Sequence, residues 1–161
     1  MSFILSAQRD DDVVQAFEGY RSYLQSVRQA LPDSVFSLAS SDWYFSFNDH
    51  RCPHDAWLES VTISEPSSDE RHEILSTSIR IRLLGAYHDG FIEFFYPNVV
   101  DYRLAASECS DGHKEWRYDE FRLSERGHVI HEIEWCGPHN SASWVVESSD
   151  VQFQWHPNEN I

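Results

Sequence analysis

Positive charge is scarce in this sequence. Its 161 residues contain 12 lysines and arginines against 27 aspartates and glutamates, which gives a formal net charge of −15 at pH 7. Nucleic acids and anionic membranes repel such an acidic surface, so neither is expected as a direct partner. A basic protein partner fits the charge, and so does a role for the charge in solubility alone.

Long apolar runs and paired cysteines are also missing. The first residues, Met1–Ala7, contain too short an apolar run for a signal peptide, and no segment approaches the roughly 18 apolar residues that span a bilayer. The three cysteines (Cys52, Cys109 and Cys136) are odd in number and widely spaced, so no disulfide framework is expected. Together these absences predict a protein of the reducing cytoplasm.

No motif for a known reaction occurs. The sequence has no Gly-x-Ser-x-Gly nucleophile elbow, no glycine-rich phosphate loop and no His-Glu-x-x-His metal motif. It also has no internal repeat, low-complexity tract or linker that would divide it. We therefore expect a single domain over residues 1–161, and a function that is more easily explained without catalysis than with it.

Aromatic residues, by contrast, are plentiful. Six Trp, seven Tyr and ten Phe, within an apolar fraction of 41%, can fill a sizeable core. Because the acidic residues are interleaved with aromatic ones along the whole chain, we expect a folded protein and not a disordered acidic tail.

An N-terminal helix is predicted over about residues 10–31. Asp10–Asp12 offer an N-cap and place negative charge at the positive end of the helix dipole. Pro32 and Asp33 end the pattern. Apolar residues at alternating spacings of three and four form one stripe, which predicts packing against the protein's own sheet. The stripe consists of Val13, Phe17, Tyr20, Leu24, Val27 and Leu31.

Everything after Pro32 has strand character, over about residues 35–156. Trp43–Phe47 is short and aromatic, and Ile79–Leu83 alternates with its apolar side chains on one face. Strands at short intervals with hairpin turns between them predict antiparallel pairing. The fold class is therefore α+β, with one amphipathic helix packed on a curved, mostly antiparallel β-meander or half-open barrel.

A first hairpin is predicted around Asp89–Gly90. This dipeptide is favoured in two-residue type I′ turns. With that turn, Leu84 lies opposite Phe95 and Leu83 lies opposite Tyr96.

A second hairpin is predicted around the loop Ser124–Gly127. The register that pairs Trp116 with Trp135 gives chemically sensible pairs on both faces of the hairpin. That consistency favours this register over one shifted by a single residue. In this register Glu120 is the cross-strand neighbour of His131.

The Glu120–His131 pair is the first candidate site. A carboxylate beside an imidazole between aromatic walls suits a general base or a ligand-binding pocket. The same pair is compatible with a buried structural contact, which is the commoner use of such pairs. The pocket would consist of Trp116, Tyr118, Glu120, His131 and Trp135, with Glu120 and His131 as the catalytic groups of an enzyme.

A second candidate site combines two Cys/His segments. Cys52 and His54 lie within Asp49–Asp55, and Cys136 and His139 lie in a second short segment. These four side chains are of the right types for tetrahedral zinc. Their spacing is looser than in most structural zinc sites, so a polar turn is the preferred interpretation and no cofactor is expected.

A third candidate is an acidic surface on the second hairpin. Asp119, Glu132 and Glu134 would share one face, near Arg117 and apolar residues. If solvated, that face would attract a cationic protein and then bind it through apolar contacts. The simpler interpretation, which we prefer, is that Arg117 and Glu134 pair on a wet surface and contribute little.

These observations favour a non-enzymatic, acidic protein-binding domain. Among such domains, an immunity-type inhibitor that neutralises a basic toxin or nuclease suits a small, folded and acidic chain. The alternative is a small-molecule-binding or enzymatic domain that uses a cavity of the curved sheet, with Glu120 and His131 as its polar groups. The protein is expected to be a monomer or a homodimer, because an open edge strand could pair between copies.

Overall fold

An eight-stranded antiparallel sheet is the largest element of the fold. The computed structural model describes residues 1–106, 108–136 and 141–159, apart from the side chain of Ser141. The helices are a 3-10 helix (Ala7–Asp10), α1 (Val13–Ser26) and α2 (Asp33–Ala39). The strands are β1 (Trp57–Ser64), β2 (Ser67–Ser68), β3 (Ile74–Leu75), β4 (Ser78–Leu84), β5 (Gly90–Tyr96), β6 (Val99–Leu104), β7 (Glu115–Leu123), β8 (Val129–Cys136), β9 (Ser141–Ser148) and β10 (Gln152–Pro157).

The strands of the sheet follow the order β10-β5-β4-β1-β7-β8-β9-β6, and neighbouring strands are antiparallel. β2 and β3 form a separate two-stranded hairpin. β1 and β7 are joined by one residue pair, Trp57 with Glu115, so the sheet consists of two four-stranded halves. Within the described residues the end strands β10 and β6 do not pair, and the sheet is not closed into a barrel.

The two halves of the sheet face each other across a shared core. β5 and β6 lie in different halves, yet only Pro97 and Asn98 connect them. Three Cα-to-Cα steps span at most about 11 Å, so the sheet must fold back on itself to bring these strand ends together. The expected α+β class with an antiparallel sheet is confirmed. The chain crosses between the halves after β5 and again after β9, so the sheet is not a simple meander.

The loop of the first hairpin is longer than predicted. Gly90 already belongs to β5, so the loop is Gly85–Asp89, and Leu84 lies opposite Phe91 instead of Phe95. The predicted and observed registers differ by an even number of residues, which leaves every side chain on its predicted face. The predicted apolar face of β4 is accordingly buried. Its residues are Ile79, Ile81 and Leu83.

Helix α1 is shorter than the predicted helix. It begins at Val13, where the side chain of Asp12 accepts a hydrogen bond from the backbone N–H of Gln15 (3.0 Å). It ends at Ser26, and the chain then turns before Leu31, whose side chain is nevertheless buried. The apolar spacing therefore continues through a turn that packs on the same core. No helix in the described residues is long and apolar enough to cross a membrane.

The prediction that only strands follow Pro32 is wrong. Asp33–Ala39 forms helix α2, with Pro32 at its N-cap and Asp33 in its first turn, where negative charge is favourable. Trp43–Phe47, predicted as a strand, forms consecutive turns closed by backbone bonds such as Ser46 N–H to Trp43 C=O (3.1 Å). Tyr44 is buried and Trp43 and Phe45 pack against the core, which does not require strand pairing, while Phe47 is exposed.

Helix α1 lies along the edge of β7 that faces away from β8. Tyr20 and Tyr23 direct their hydroxyl groups at backbone groups of this strand. The start of β7 is instead bonded by the segment before β1, where Asp55 N–H donates to Trp116 C=O (2.8 Å). The edge of β7 that β1 leaves open is thus covered by a helix and a loop.

Candidate functional site

A β-bulge in β7 rearranges the first predicted site. Trp116 pairs with Trp135 as predicted, but one extra residue lies in β7 between Trp116 and Tyr118. Beyond the bulge the register is shifted by one, so His131 lies opposite Phe121. The predicted pairing of Glu120 with His131 is therefore wrong. Glu120 lies opposite Glu132 instead.

The five residues of the predicted pocket are consequently divided between two faces of the sheet. Trp116, His131 and Trp135 lie in the core and are at most 1% exposed. Tyr118 and Glu120 lie on the outer face, which is the face turned away from the shared core. A one-residue bulge is sufficient for this division, because side chains alternate along a strand.

Asp119 takes the place beside His131 that was predicted for Glu120. Asp119 Oδ2 lies 2.8 Å from His131 Nε2 and accepts a hydrogen bond from the Tyr44 hydroxyl (2.6 Å). Asp119 Oδ1 accepts from Trp116 Nε1 (3.0 Å), and His131 Nδ1 is hydrogen-bonded to the Tyr96 hydroxyl (2.8 Å). Each side-chain polar atom of Asp119 and His131 therefore has a partner inside the core.

This polar network is closed to solvent. Its members are at most 2% exposed. Burial, followed by the nearby Asp119 charge, raises the pKa of Tyr44 and of Tyr96 well above the usual value, so both phenols keep their protons and remain donors. A fully bonded network of this kind fixes one packing arrangement of the core. It gives a substrate no access to the carboxylate or the imidazole.

Glu120 binds the N-terminal segment on the outer face. Its Oε2 accepts hydrogen bonds from the backbone N–H groups of Phe3 (3.0 Å), Ile4 (2.8 Å) and Leu5 (3.3 Å). Arg122 pairs with its other oxygen. The carboxylate is fully buried by these contacts, so its role is to hold the N-terminal segment on the sheet.

The predicted acidic surface is only partly correct. Glu132 and Glu134 share the outer face, but Asp119 is 2% exposed and lies in the core because of the bulge. Arg122 pairs with Glu132 (2.5 Å), and Glu134 lies within 3.4 Å of both Arg9 and Arg117. Arginines therefore balance the charge of this surface. The predicted Arg117–Glu134 pair is present, and its small contribution to stability stays a prediction.

The predicted zinc ligands are not brought together as a set. Cys52 is buried and donates to the backbone C=O of Tyr44 (3.0 Å), and burial raises the pKa of this thiol to about 12. His54 and Cys136 do line one pocket, of about 190 Å³. His139 lies outside the described residues. Within those residues no three His, Cys, Asp or Glu side chains form a group suited to a metal ion.

Three large aromatic side chains are exposed at one end of the sheet. Phe47, Trp57 and Tyr87 are each close to half exposed, at 48%, 48% and 49%. They come from the loop before β1, the first residue of β1 and the loop between β4 and β5. The Tyr87 hydroxyl donates to the backbone C=O of Phe47 (3.0 Å), which fixes the two loops to each other.

A histidine packs against each of these aromatic rings. His50 stacks on Tyr87, with ring centroids 4.0 Å apart, and His54 stacks on Phe47 at 3.9 Å. His88 contacts Trp57 edge-on at 4.8 Å. The bond from Tyr87 to Phe47 links the first two stacks, and His88 follows Tyr87 in the chain, so all six side chains lie at this end of the sheet. We call this group the aromatic rim, and it consists of Phe47, His50, His54, Trp57, Tyr87 and His88.

Three carboxylates flank the aromatic rim. Asp89 bonds to His50, Asp55 lies 3.4 Å from His54, and Glu115 pairs with Trp57 across the strands. In the part of the chain that the structure describes, no lysine or arginine nitrogen lies within 4.0 Å of these carboxylates. The rim therefore combines exposed aromatic area with carboxylates that form no ion pair with lysine or arginine among the described residues, while Arg117 lines the same pocket as Asp55 and Glu115.

The sequence contains only an indirect signal for this surface. Two of its residues, His50 and His54, lie within Asp49–Asp55, which the sequence suggests as a metal-binding segment or a polar turn. Aromatic residues in a sequence usually indicate core, and here most of them are indeed buried in the core or packed against it. The exposure of Phe47, Trp57 and Tyr87 depends on which loops meet at the end of the sheet. Local sequence patterns do not determine that.

Comparison with known proteins finds no matching family model, no similar curated protein and no similar solved structure. The function has therefore to be inferred from the side chains of this chain.

Proposed function

We propose that this protein is a non-enzymatic binding domain that receives a basic protein partner on the aromatic rim. The observation that carries the proposal is the exposure of Phe47, Trp57 and Tyr87 beside carboxylates that have no arginine or lysine partner in the described residues. Tryptophan and tyrosine are the residue types most enriched at the energetic centres of protein interfaces. Carboxylates around them would attract a cationic surface and fix its orientation.

The geometry of the rim favours binding in a second way. The histidine stacks and the bond from Tyr87 to the Phe47 carbonyl hold the exposed rings in place before any partner arrives. A side chain that is already ordered loses less entropy on binding. Asp55 and His88 also hold positive φ angles (66° and 58°), a backbone strain that is found disproportionately at functional sites.

The partner class follows from charge. A chain of net charge −15 associates fastest with a cationic surface, and exposed aromatic rings can then supply the contact area. We propose that the partner is a basic enzyme or toxin, such as a nuclease, and that the rim covers its cationic site as an immunity-type inhibitor would. The enzymatic alternative receives no support from Glu120 and His131, because they lie on opposite faces of the sheet.

A quantitative pull-down tests the proposal. The tagged wild-type protein, a rim variant (Trp57→Ala with Tyr87→Ala) and a control variant (Ile74→Ala with Leu75→Ala) are incubated with an extract of the source cells. The control residues are exposed at 58% and 67%, but they lie in the β2–β3 hairpin, outside the rim.

We expect the wild type and the control to retain the same basic protein at low salt. We also expect high salt to weaken that retention, since salt screens exposed charges. The purified partner should then bind the rim variant at least about tenfold more weakly than the wild type. If no basic protein is retained, or if the rim variant retains it as well as the control does, the proposed function is wrong.

A further inference from the structure

Strand β6 is an open edge of the sheet. It pairs with β9 on one side only, and within the described residues no strand lies on its other side. Val100 and Tyr102 are 46% and 44% exposed on this edge. An exposed edge with apolar side chains is a template for another strand, so natural proteins usually block it or pair it.

We propose that β6 pairs antiparallel with β6 of a second copy of this chain, with Tyr102 on the two-fold axis. The two eight-stranded sheets then join into one. In this register Asp101 lies opposite Arg103 of the second copy, and Arg103 lies opposite its Asp101. Val100 comes opposite Leu104. Val100 is the extra residue of a bulge in the pairing of β6 with β9, so the most regular pairing between the two copies is over Asp101–Arg103.

Charge complementarity singles out this partner. A two-fold axis at Tyr102 forms two Asp101–Arg103 pairs at once, and opposite charges directly across strands stabilise pairing. Arg103 is exposed, and within the described residues no carboxylate lies within 4.0 Å of it, although the chain has 27 acidic residues. Among the described basic side chains, Asp101 approaches that of Arg126 alone, at 4.0 Å. The interface is therefore balanced in charge although each chain carries −15.

A groove of about 530 Å³ lies beside this edge on the outer face. Glu147 lines it with a side chain that is nine-tenths buried, and its Oε1 has no hydrogen-bond donor among the described residues. Two side-chain nitrogens lie nearby: His128 Nδ1 at 3.6 Å from Oε1 and Arg126 Nη2 at 3.8 Å from Oε2. Both distances are too long for a hydrogen bond.

The second copy would bring a donor to this groove. Asp101 is the cross-strand neighbour of Glu147, so the two carboxylates lie on the same face. Arg103 of the second copy lies opposite Asp101 in the proposed register. Its long side chain can then reach the groove and approach Glu147, which its own chain leaves incompletely bonded.

Two other open edges are less suitable. β10 is the other end strand of the sheet, and it has no Asp, Glu, Lys or Arg over Gln152–Pro157, so a two-fold pairing of β10 would form no opposite-charge pair. β1 is unpaired on one side beyond its first residues. A two-fold axis at Thr62, which would pair Val61 with Ile63, places Glu59 opposite Glu65 of the second copy. Like charges directly opposite each other destabilise strand pairing. The observations therefore favour β6.

Charge exchange tests the proposal. Sedimentation equilibrium is measured for the wild type, for Arg103→Glu and for Asp101→Arg. Each single variant places like charges opposite each other twice, but an equimolar mixture of the two restores both opposite-charge pairs in a heterodimer. Thr62→Lys on β1 is the matched control, because it adds charge to an open edge outside the proposed interface. Circular dichroism checks that every variant is folded.

We expect a wild-type dimer whose dissociation constant rises at least about tenfold in each single variant. The mixture should recover the wild-type affinity, and Thr62→Lys should leave the dimer unchanged. A wild type that stays monomeric at all concentrations overturns the proposal. A dimer that survives both single variants, or one that Thr62→Lys disrupts, overturns it as well. None of these measurements involves the aromatic rim or a basic partner, so they decide this inference independently of the proposed function.

Discussion

The Tyr20 hydroxyl exchanges two hydrogen bonds with the backbone of Phe121. It accepts from the Phe121 N–H (2.7 Å) and donates to the Phe121 C=O (3.0 Å), which are the two bonds that a neighbouring strand would make. Tyr23 repeats the first of them at Leu123 (2.8 Å). One side of α1 therefore substitutes for a strand along the edge of β7.

Replacing Tyr20 by phenylalanine should destabilise the protein by about 1–3 kcal/mol, because a buried N–H and a buried C=O lose their partner while the ring remains. Urea unfolding followed by tryptophan fluorescence measures this. Tyr23→Phe is the control with a single, less buried bond, and it should be less damaging. Equal effects of the two variants would show that the second hydrogen bond between Tyr20 and Phe121 adds little stability.

Asp119→Ala should be among the most destabilising single substitutions, at about 3–5 kcal/mol. It leaves the donors of Tyr44, Trp116 and His131 without an acceptor in the core. The free energy of unfolding in urea measures the effect. Asp42→Ala, at an exposed position, should change stability by less than about 0.5 kcal/mol. A tolerated Asp119→Ala would mean that the network contributes little to stability.

Glu120→Ala should release the N-terminal segment. The N–H groups of Phe3, Ile4 and Leu5 then lose their acceptor, and their hydrogen exchange should accelerate while exchange in β4 and β5 stays slow. Hydrogen exchange followed by NMR resolves these amides. Glu125→Ala, in the exposed turn between β7 and β8, serves as the control. Unchanged exchange at Phe3–Leu5 would show that other contacts hold the segment.

Cys52 should be inert toward thiol reagents in the folded protein. With a pKa of about 12, only about one thiol in 10,000 is ionised at pH 8, and the side chain is also buried. Cys109 is exposed and should react first. Peptide mass spectrometry after brief alkylation distinguishes the two, and alkylation in urea supplies the fully reactive reference. Labelling of Cys52 at the rate of Cys109 would contradict the buried position.

The features that could be predicted from the sequence are those that depend on composition and on the alternation of side chains between the two faces of a strand. The buried face of β4 is correct although the loop of its hairpin is not, because the two registers differ by an even number of residues. Trp116 opposite Trp135 is correct because it lies before the bulge. No residue type in the sequence marks the extra residue between Trp116 and Tyr118. Beyond the bulge, Asp119 and Glu120 therefore lie on the faces opposite to those predicted.

Other features depend on tertiary contacts that no local pattern contains. α2 has only seven residues, too few for its spacing of apolar residues to stand out from a strand pattern. The aromatic rim exists because the loop before β1 meets the loop before β5, and no short segment carries that information. The predicted Cys/His group is separated for the same reason, since Cys52 turns into the core beside Tyr44.

The bulge in β7 also determines which changes of length this strand tolerates in evolution. The Gly85–Asp89 loop provides a contrast. Inserting or deleting two residues there leaves the side chains of β4 and β5 on the same faces, so the loop can change in length by an even number of residues. Loss of a single residue between Trp116 and Phe121 would turn Asp119 out of the core network and place Glu120 there instead. The longer glutamate side chain would not reproduce the hydrogen bonds of Asp119. Selection there should therefore act on the number of residues before it acts on their identity. Related chains should be recognisable by a constant spacing between the residues that correspond to Trp116, Asp119 and Glu120, even where little else in the strand is shared.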